Sequence, residues 1–411
     1  MIIPQPVHKI ISQISDCGFE AYAVGGCVRD TLMGKSPQDW DIATSATPDE
    51  IQKIFSCHTV IPTGIKHGTL TVIVDRTPFE ITTFRVDGSY TDSRHPESVT
   101  FSADITQDLK RRDFTINAIA YSPSRGIVDP LGGQADLKAG IIRAVGDPAE
   151  RFSEDSLRIM RAIRFSAALG FEIEPKTADA LYKFSHLLEH IAAERITCEL
   201  NKTLRADNAS AVIEKYFPVI SQRLFGMYPP RIFDTAVFQP VSCVPCRLGL
   251  RLAAFLFGAA QVFDTDINSL SKSFFSRLKY DNKTRRQATT LLSNLHREIL
   301  PDRISIRHTI RDIGAESLQD IFELKSALQL DNPTAIDAAK GIFSAILRDG
   351  DCCKLYSLAI KGNDLAAEFN LKGAHIGNGL NLLLDAVIEE KCQNTRSSLL
   401  EYFKKINSVS I

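Results

Sequence analysis

The stretch VGGCVRD at residues 24–30, followed by DWD at residues 39–41, decides the fold of this chain. An apolar run that ends in two glycines and continues into a helical pattern predicts a strand, a tight turn and a helix, an arrangement in which backbone amides can approach a phosphate. Residues 38–44 predict a second strand. Its period of two places the carboxylates of Asp39 and Asp41 on one face and the tryptophan between them on the other.

The paired aspartates suggest a metal site, because carboxylate oxygens are the ligands that Mg²⁺ prefers. Two such ions about 4 Å apart, with positions left for substrate phosphates, clamp the attacking and the leaving oxygen of a phosphoryl transfer. The first hypothesis is therefore nucleotidyl transfer, with two Mg²⁺ ions held by Asp39 and Asp41. A glycine pair alone is usually a turn and DxD alone is often a solvated strand edge, so the hypothesis depends on their joint occurrence.

A third acid is expected from a neighbouring strand. The run FEITTFR at residues 79–85 alternates as a strand does, and it places Glu80 on the same face as Thr82. Glu80 is therefore the third candidate catalytic acid. The alternative is that Glu80 only pairs with a nearby arginine, as isolated strand acids often do.

The composition is that of an ordinary globular protein. With 411 residues, 44% hydrophobic residues and a formal net charge of −1, the chain is long enough for several domains and does not resemble a disordered or fibrous protein. The first residues lack the basic start of a signal peptide, and the apolar segment 252–260 is too short to span a bilayer. An odd number of cysteines, nine, argues against a disulfide framework. We therefore expect a cytoplasmic protein without a membrane partner.

Two patterns divide the chain. Residues 1–140 mix short β-rich runs with short helical segments, which predicts a mixed-sheet head. From about residue 141, apolar residues recur at spacings of three and four, which predicts helices without clear strand runs. Proline and glycine residues divide this part into a neck (141–200), a body (201–300) and a tail (301–411). The predicted fold class is α+β, with a catalytic head followed by an all-helical remainder.

Charge is segregated along the chain. Residues 201–300 contain 14 Lys plus Arg and 7 Asp plus Glu, a local net of +7, whereas residues 1–50 have a local net of −4. An acidic start suits metal binding, and a basic helical middle suits a polyanion such as RNA. The alternative is a solvated helix face. The candidate RNA-binding residues lie in the densest basic run and are Arg277, Lys279, Lys283, Arg285 and Arg286.

The string RRDFTINA at residues 111–118 combines two guanidinium groups with a carboxylate and an amide. The fork of an arginine matches phosphate oxygens, and Asp or Asn can hydrogen-bond ribose hydroxyls. We therefore expect Arg112, Asp113 and Asn117 to contact a nucleotide.

The string EDSLRIMR at residues 154–161 has strong helix character, which predicts Asp155 and Arg158 on one helix face, with Arg161 one turn beyond. Cytosine and adenine present an exocyclic amine donor beside a ring-nitrogen acceptor, whereas uracil and guanine present a carbonyl beside a ring N–H. A carboxylate beside a guanidinium therefore suits cytosine and adenine, and each buried mismatch costs about 1 to 3 kcal/mol. The alternative is a salt bridge within one helix.

Five strings, in this order, resemble the class II tRNA nucleotidyltransferase and bacterial poly(A) polymerase family. They are GGCVRD (25–30), DWDIAT (39–44), RRDFTINA (111–118), DPLGGQADL (129–137) and EDSLRIMRAIRF (154–165). The resemblance covers about the first 200 residues. It implies a nucleotidyltransferase head of the DNA polymerase β type, followed by a helical neck, body and tail that hold the tRNA.

The resemblance also implies roles for individual residues. Asp39 and Asp41 are implied to bind the metal ions, and Arg112 and Asp113 to contact the incoming nucleotide. The residues implied to form a protein template for CTP and then ATP are Glu154, Asp155 and Arg158. The residues implied to belong to the phosphate-side framework are Gly25, Gly26, Arg29 and Asp30.

Two further segments complete the resemblance. Glu194 and Arg195 resemble the last motif of the family, which we expect to support the neck. Residues 87–104 are predicted to form a long polar loop. Its length resembles that of the full-length loop of the family, whereas the resemblance implies a shortened loop in CC-adding members. Residues 351–411 carry equal numbers of acids and bases, unlike the strongly basic C-terminal part expected of a poly(A) polymerase.

The sequence therefore predicts addition of CCA to the 3′ end of tRNA from CTP and ATP, with release of pyrophosphate. The expected partner is the acceptor arm of tRNA, and the oligomeric state is not legible from the sequence. The related alternatives are an A-adding or CC-adding enzyme or a poly(A) polymerase. An inactive RNA-binding protein is the alternative from another class, but clustered acids would repel its RNA.

Overall fold

The computed structural model describes residues 1–88 and 99–408, so most of the predicted long loop at residues 87–104 lies outside the described residues. The chain forms two compact units, Met1–Thr235 with Ser273–Lys279, and Ala236–Lys272 with Tyr280–Ile411. The first change of unit falls inside the predicted body. The division into head, neck, body and tail stays a prediction.

The strands belong mainly to one sheet near the start of the chain. Strands β1 to β11 are Ala21–Val24, Asp41–Thr44, Thr59–Gly64, Thr69–Val74, Thr77–Thr83, Arg85–Asp87, Val99–Phe101, Ala120–Ser122, Gly126–Val128, Ile141–Ile142 and Glu172–Ile173. The large sheet has the order β3-β4-β5-β2-β1-β8-β9, and β6–β7 and β10–β11 form two small sheets. The β10–β11 pair interrupts the helical pattern expected after about residue 141.

Helices make up most of the remaining chain. Helices α1 to α20 are Gln5–Asp16, Gly26–Leu32, Pro48–Ile54, Ile105–Lys110, Gly133–Ala139, Pro148–Glu154, Leu157–Leu169, Pro175–Phe184, Ala193–Arg205, Ala209–Phe225, Pro240–Cys243, Leu248–Phe263, Ile267–Arg277, Asn282–Ser293, Arg303–Ile313, Ala315–Leu328, Pro333–Asp349, Gly362–Phe369, Ala374–Ile388 and Arg396–Ser408. The predicted α+β class, with a mixed-sheet head followed by helices, is confirmed.

The pairing of β1 with β2 places the glycine turn beside the acids. Val24, the last residue of β1, lies opposite Asp41, the first residue of the antiparallel β2. Gly25 follows with a φ of 79°, which residues with a side chain rarely adopt, and α2 begins at the next residue. The predicted strand, turn and helix are therefore present. The second strand begins at Asp41 and not at residue 38 as predicted, so Asp39 lies before it and strand alternation does not set the position of Asp39.

The neighbouring strand aligns the third acid. Strands β2 and β5 are parallel, and Asp41 lies opposite Glu80. On the next strand, Thr71 is also opposite Glu80. Register partners on adjacent strands point to the same face of a sheet, so the polar residues share one face.

The opposite face of the sheet is covered by apolar residues. Ile42 and Ile81 are almost fully buried there, in a core with Ile10 of α1 and Phe55 beside α3. Trp40 packs partly against this core. The alternation thus buries Ile42 in one apolar core, whereas Asp41 lies at the end of the other face, beyond Val24 and Ala43 in a second apolar core.

Phe114 connects the head sheet to the helix α7. It forms a β-bridge with Ala144, and its ring meets that of Phe165 edge to face at a centroid distance of 5.8 Å. Phe114 is fully buried and Phe165 nearly so. The strings at residues 111–118 and 154–165 are therefore held against each other by apolar packing.

The second unit is built from helices around separate apolar cores. One core contains Leu318, Phe322 and Phe343, and another contains Leu383 and Phe403. No single helix in the described part of the chain is long and apolar enough to cross a membrane. The bent pair α12 and α13 passes that test jointly, by length and composition only, and most residues of α12 are buried in the protein.

Candidate functional site

A cleft of about 580 Å³ brings the sequence strings together. It contains the glycine turn, the acid pair and both arginine-rich strings. Glu80 and Glu154 are not among its lining residues. The predicted site residues that line it are Gly25, Gly26, Arg29, Asp39, Asp41, Arg112, Asp113, Asn117, Asp155, Arg158 and Arg161.

The acid pair is open to a ligand. Asp39 and Asp41 are exposed, and neither carboxylate makes a salt bridge or a side-chain hydrogen bond within the described part of the chain. Partial desolvation raises the pKa of Asp41, the guanidinium of Arg112 opposes this, and the charge of Asp39 adds to it. A bound cation would relieve both the desolvation and the repulsion. The unpaired oxygens therefore fit a divalent metal whose remaining ligands are substrate phosphates and water.

Glu80 does not complete a three-acid metal cluster. Among the described residues, no group of three or more acidic, histidine or cysteine side chains is arranged to hold a metal ion. Glu80 is exposed and makes no salt bridge there, so the alternative of a simple arginine partner is not observed either. Its catalytic role stays a prediction.

A buried aspartate fixes the two arginines of the RRD string. Asp108, on α4, accepts hydrogen bonds from Arg111 at 2.7 Å and from Arg112 at 3.1 Å. Burial alone would raise the pKa of Asp108, but the charges of Arg112 and Arg111 hold it below its ordinary value. The arginines therefore have fixed positions without a ligand. The spacing in the sequence could have predicted these two ion pairs, since Asp108 precedes Arg111 by three residues and Arg112 by four.

Asp113 is the centre of a second network. Its Oδ2 accepts a hydrogen bond from Arg161 Nε at 2.7 Å, and its Oδ1 accepts one from Asn117 Nδ2 at 3.2 Å. Asn117 Oδ1 in turn accepts from Arg29 Nη1 at 2.7 Å. Asp113 is fully engaged and only 8% exposed, so it orders the wall of the cleft. Direct contact of Asp113 with a nucleotide stays a prediction.

The EDSLR segment differs from the continuous helix expected from the sequence. Helix α6 ends at Glu154, Asp155 is extended with a φ of −139°, and α7 begins at Leu157. The prediction that Asp155 and Arg158 lie on one helix face is therefore wrong. Asp155 Oδ1 accepts the backbone amide of Leu157 at 3.1 Å, a local bond that favours a helix start over a continuous helix, and its Oδ2 pairs with Arg195 at 3.1 Å.

Arg158 has different partners from those expected. It pairs with Glu154 at 2.7 Å across the helix break. It also donates to the backbone carbonyls of Arg151 and Arg111, each at 3.1 Å. This salt bridge joins the end of α6 to α7, so the alternative of a salt bridge within one helix is not observed for Arg158 either, and both Asp155 and Arg158 line the cleft. Glu154, which does not line the cleft, holds the guanidinium of Arg158 through this salt bridge.

Sequence reasoning missed several residues of the cleft wall. Phe165 is one, and its ring lies among three guanidinium groups, at 5.1 Å from Arg29, 5.4 Å from Arg161 and 3.8 Å from Arg164. Cations over an aromatic face are attracted to it, so one ring orders three positive side chains. The other lining residues that the sequence did not place in the site are Arg111, Leu157, Arg164 and Arg195.

The predicted RNA-binding residues fall in both units. Arg277 pairs with Glu189 at 3.7 Å and Lys279 with Glu194 at 3.1 Å. The other three lie exposed on α14 of the second unit, and two of them line a surface cavity of about 560 Å³. These three residues are Lys283, Arg285 and Arg286. Their contact with RNA stays a prediction.

A mixed sheet that carries two open carboxylates beside a glycine turn, under an arginine-lined cleft, defines a nucleotidyltransferase. Family models agree with this class. A model described as the poly(A) polymerase head domain matches residues 21–143, and one described as a probable RNA and SrmB-binding site of polymerase A matches residues 170–217. A putative tRNA nucleotidyltransferase domain 2 matches residues 259–403.

The chain belongs to the CCA-adding enzymes. The CCA-adding enzyme of Limosilactobacillus fermentum is 37% identical over 97% of this chain and 96% of its own length. The CCA-adding enzyme of Streptococcus mutans is 35% identical over 98% of this chain and 97% of its own length. The solved CCA-adding enzyme of Bacillus stearothermophilus in complex with CTP has 29% identity and a TM-score of 0.81, and the match covers 100% of this chain and 99% of that chain.

A more distant structure shares the fold. The CCA-adding enzyme of Thermotoga maritima, complexed with tRNA_CCA, has 21% identity and a TM-score of 0.65 over 97% of this chain. The predicted family, enzyme class and CCA addition to tRNA are thus confirmed. Enzymes of this kind generally use divalent metals.

Proposed function

We propose that this chain adds C, C and A in succession to the 3′ end of tRNA from CTP and ATP, and that Asp39 and Asp41 hold two Mg²⁺ ions for the reaction. The observation that carries the proposal is the pair of exposed, unpaired carboxylates at the edge of the arginine-lined cleft. An inactive RNA-binding protein would have no use for unpaired acids beside a polyanion.

The chemistry follows from the charges of the cleft. The 3′ oxygen of the RNA forms a bond to the α-phosphorus, the bond from that phosphorus to the bridging oxygen breaks, and pyrophosphate leaves with the electron pair while the hydroxyl proton goes to solvent. When bound, the metal ions supply charge that lowers the pKa of the hydroxyl and neutralises pyrophosphate. Arg29, Arg112 and Arg161 offer donors to the triphosphate from positions already fixed by protein partners.

Nucleotide choice is assigned to Asp155 and Arg158. A carboxylate accepts from the exocyclic amine of cytosine or adenine, and a guanidinium donates to the adjacent ring nitrogen. Arg195 holds the carboxylate, and Glu154 holds the guanidinium. Because both groups have their own partners, the edge that they present is rigid, which supports selection by a fixed protein surface.

Extension of a tRNA transcript that lacks its terminal triplet tests the proposal. With Mg²⁺ and CTP alone, the purified protein should add two nucleotides, and CTP with ATP should give three and then stop. Asp41→Asn should abolish extension, because one metal ligand is removed. Asp16→Asn, a change at an exposed acid of α1 outside the cleft, is the matched control and should extend normally.

Other product patterns would favour the relatives. A product that stops after two C residues with both nucleotides present would identify a CC-adding enzyme. Addition of A only to a tRNA that already ends in CC would identify an A-adding enzyme, and a long A tail would identify a poly(A) polymerase. Tight tRNA binding without any extension would support the alternative of an inactive RNA-binding protein.

A further inference from the structure

The second unit contains a cavity of about 320 Å³ that the proposed function does not use. Its walls come from the connection between α14 and α15, from α16 and from α17. The apolar part of the wall includes Pro301, Phe322 and Ile336. A cavity of about 300–1,000 Å³ with apolar walls and a few convergent polar groups is typical of a small-ligand site. These walls suit a flat ring.

One charged side chain of this cavity is almost fully buried. The side chain of Lys325 is 3% exposed, and its ammonium group donates to the carbonyl oxygen of Arg297 at 2.8 Å and to Asp331 Oδ2 at 2.7 Å. An ammonium group has three protons, and in the described part of the chain Lys325 has these two acceptors. One proton therefore remains for a ligand, and a buried donor is stabilised when it gains an acceptor.

Asp331 supplies an acceptor beside that donor. Its Oδ2 accepts from Lys325, whereas its Oδ1 has no hydrogen-bond partner among residues 1–88 and 99–408. Both side chains line the cavity. Because the charges of Lys325 and Asp331 cancel, the pair suits a neutral ligand. The exposed carboxylate of Glu298 also lines the cavity and would repel a phosphate.

A nucleobase has the chemistry that this cavity requires. It is flat and neutral, its faces stack on apolar and aromatic surfaces, and its Watson–Crick edge presents a hydrogen-bond donor beside an acceptor. The acceptor of the base can take the remaining proton of Lys325, and its donor can bind the remaining oxygen of Asp331. A phosphate attached to the nucleoside would have to stay outside the cavity.

We propose that this cavity, the Lys325 cavity, binds one unstacked nucleobase, with its ring against Phe322 and Pro301 and its Watson–Crick edge on Lys325 and Asp331. The base belongs either to a looped part of a bound RNA or to a free nucleoside. Looped RNA offers unstacked bases to proteins. Helix α14, which carries exposed lysine and arginine side chains, leads directly into one wall of the cavity.

Calorimetric titration of the full-length protein with uridine and with N3-methyluridine tests the site. Uridine is chosen because the catalytic cleft is expected to reject uracil. The added methyl group replaces the ring N–H that donates to Asp331, so N3-methyluridine should bind about five- to a hundredfold more weakly than uridine. Equal binding of the two nucleosides, or binding of neither, would overturn the proposal.

A variant that fills the cavity shows where uridine binds. Ala335 is exposed on α17 and lines the cavity, so Ala335→Trp places an indole in the space of the base without disturbing the core. It should abolish uridine binding. Ala338→Trp, at an exposed position of the same helix outside the cavity lining, is the matched control and should bind uridine normally. Normal uridine binding by Ala335→Trp would place the nucleoside elsewhere and refute the proposal.

Competition distinguishes the two sources of the base. A tRNA transcript that displaces uridine, when a loop-free RNA duplex does not, would assign the base to a loop of the RNA. Uridine binding that tRNA leaves unchanged, or that the duplex reduces equally, would assign the Lys325 cavity to free nucleosides. The KM for CTP should be the same in the wild type and in both tryptophan variants, because the cavity takes no part in nucleotidyl transfer.

Discussion

Single buried acids position the arginines of the cleft. Asp108 holds Arg111 and Arg112, and Asp113 holds Arg161. Burial alone would raise the pKa of Asp113, but the charge of Arg161 holds it below its ordinary value, as the paired arginines do for Asp108. Both acids therefore stabilise the fold above the ordinary carboxyl pKa, and this contribution is lost as pH falls through the lowered values.

Gly25 provides a test at the scale of one residue. A Cβ there would lie 3.1 Å from Arg112 Nη1, and the φ of 79° is unfavourable for alanine. Gly25→Ala should therefore lower stability by about 1 to 3 kcal/mol and also raise the KM for CTP, because Arg112 must move. Thermal melting and steady-state kinetics measure the two effects.

Gly18→Ala is the matched control for Gly25→Ala. Gly18 has a φ of 87°, but a Cβ there would meet nothing within 4 Å. It should lose stability through backbone strain and keep its KM for CTP. Equal KM values in the two variants would show that the space beside Arg112 does not matter for nucleotide binding.

At the scale of elements, the break between α6 and α7 sets the positions of Asp155 and Arg158 in the cleft. A continuous helix would turn Asp155 and Arg158 along one surface, as an intrahelical pair. The extended backbone at Asp155 instead lets Arg195 of α9 hold its carboxylate, while α7 carries Arg158 with Glu154 behind it. Residues of three helices thus hold the two cleft side chains for which we propose nucleotide selection.

Asp155→Ala tests the proposed selection. The variant should incorporate UTP more readily relative to CTP, by roughly tenfold to a hundredfold, because the acceptor that distinguishes an amine from a carbonyl is removed. Its dependence on Mg²⁺ concentration should stay that of the wild type, since Asp39 and Asp41 are untouched. Single-nucleotide incorporation with each triphosphate measures the ratio.

The control for Asp155→Ala is Glu150→Ala, which removes an exposed acid from the first turn of α6. It should select nucleotides as the wild type does. If Asp155→Ala kept the same selectivity, the carboxylate would serve only to pair with Arg195.

The sequence allowed the head of the site to be predicted well. Asp39 and Asp41 both line the cleft, although only Asp41 lies on the predicted strand, and the glycine pair indicated the turn at Gly25 because a tight turn is a local feature. Strand alternation placed Glu80 on the polar face beside them. Sequence patterns were sufficient where the position of a residue is set by its neighbours in the sequence.

The neck was harder to predict. Glu154 and Arg158 have the spacing of a helical ion pair, which favoured a continuous helix, although Asp155 followed by Ser156 is also typical of a helix start. The salt-bridge partner of Asp155, Arg195, lies 40 residues further along the chain, so local spacing could not identify it. Phe165 was missed for a similar reason, since an apolar residue on a helix predicts burial and does not show which charged groups will surround it.

At the scale of the whole molecule, charge is divided between regions of the chain. The acidic start of the chain carries the open carboxylates, and the basic run contributes exposed cations on α14. RNA binding through phosphates depends strongly on salt because it releases counterions. The basic residues are therefore expected to set affinity for tRNA without affecting the choice of nucleotide.

A double variant of Lys283→Ala and Arg286→Ala tests this division. It should weaken tRNA binding and reduce the slope of log affinity against log salt by about one unit for each phosphate that the protein no longer neutralises. The KM for CTP at saturating tRNA should stay unchanged. Filter binding across a salt series measures the slope.

Lys372→Ala, at an exposed lysine outside the basic run, is the control for that double variant and should keep the wild-type slope. If the double variant kept the wild-type salt slope, α14 would be a solvated helix face that does not contact the tRNA phosphates.

The acid-bearing strand β2 lies inside the large sheet, hydrogen-bonded to β1 on one side and to β5 on the other. A strand held by two ladders cannot slide without breaking both, so the register of Asp41 with Val24 and Glu80 is fixed. Each addition lengthens the acceptor by one nucleotide. The fresh terminus must consequently draw back by that length before the next round, and the moving part of repeated synthesis is the RNA rather than the strand that carries the acids.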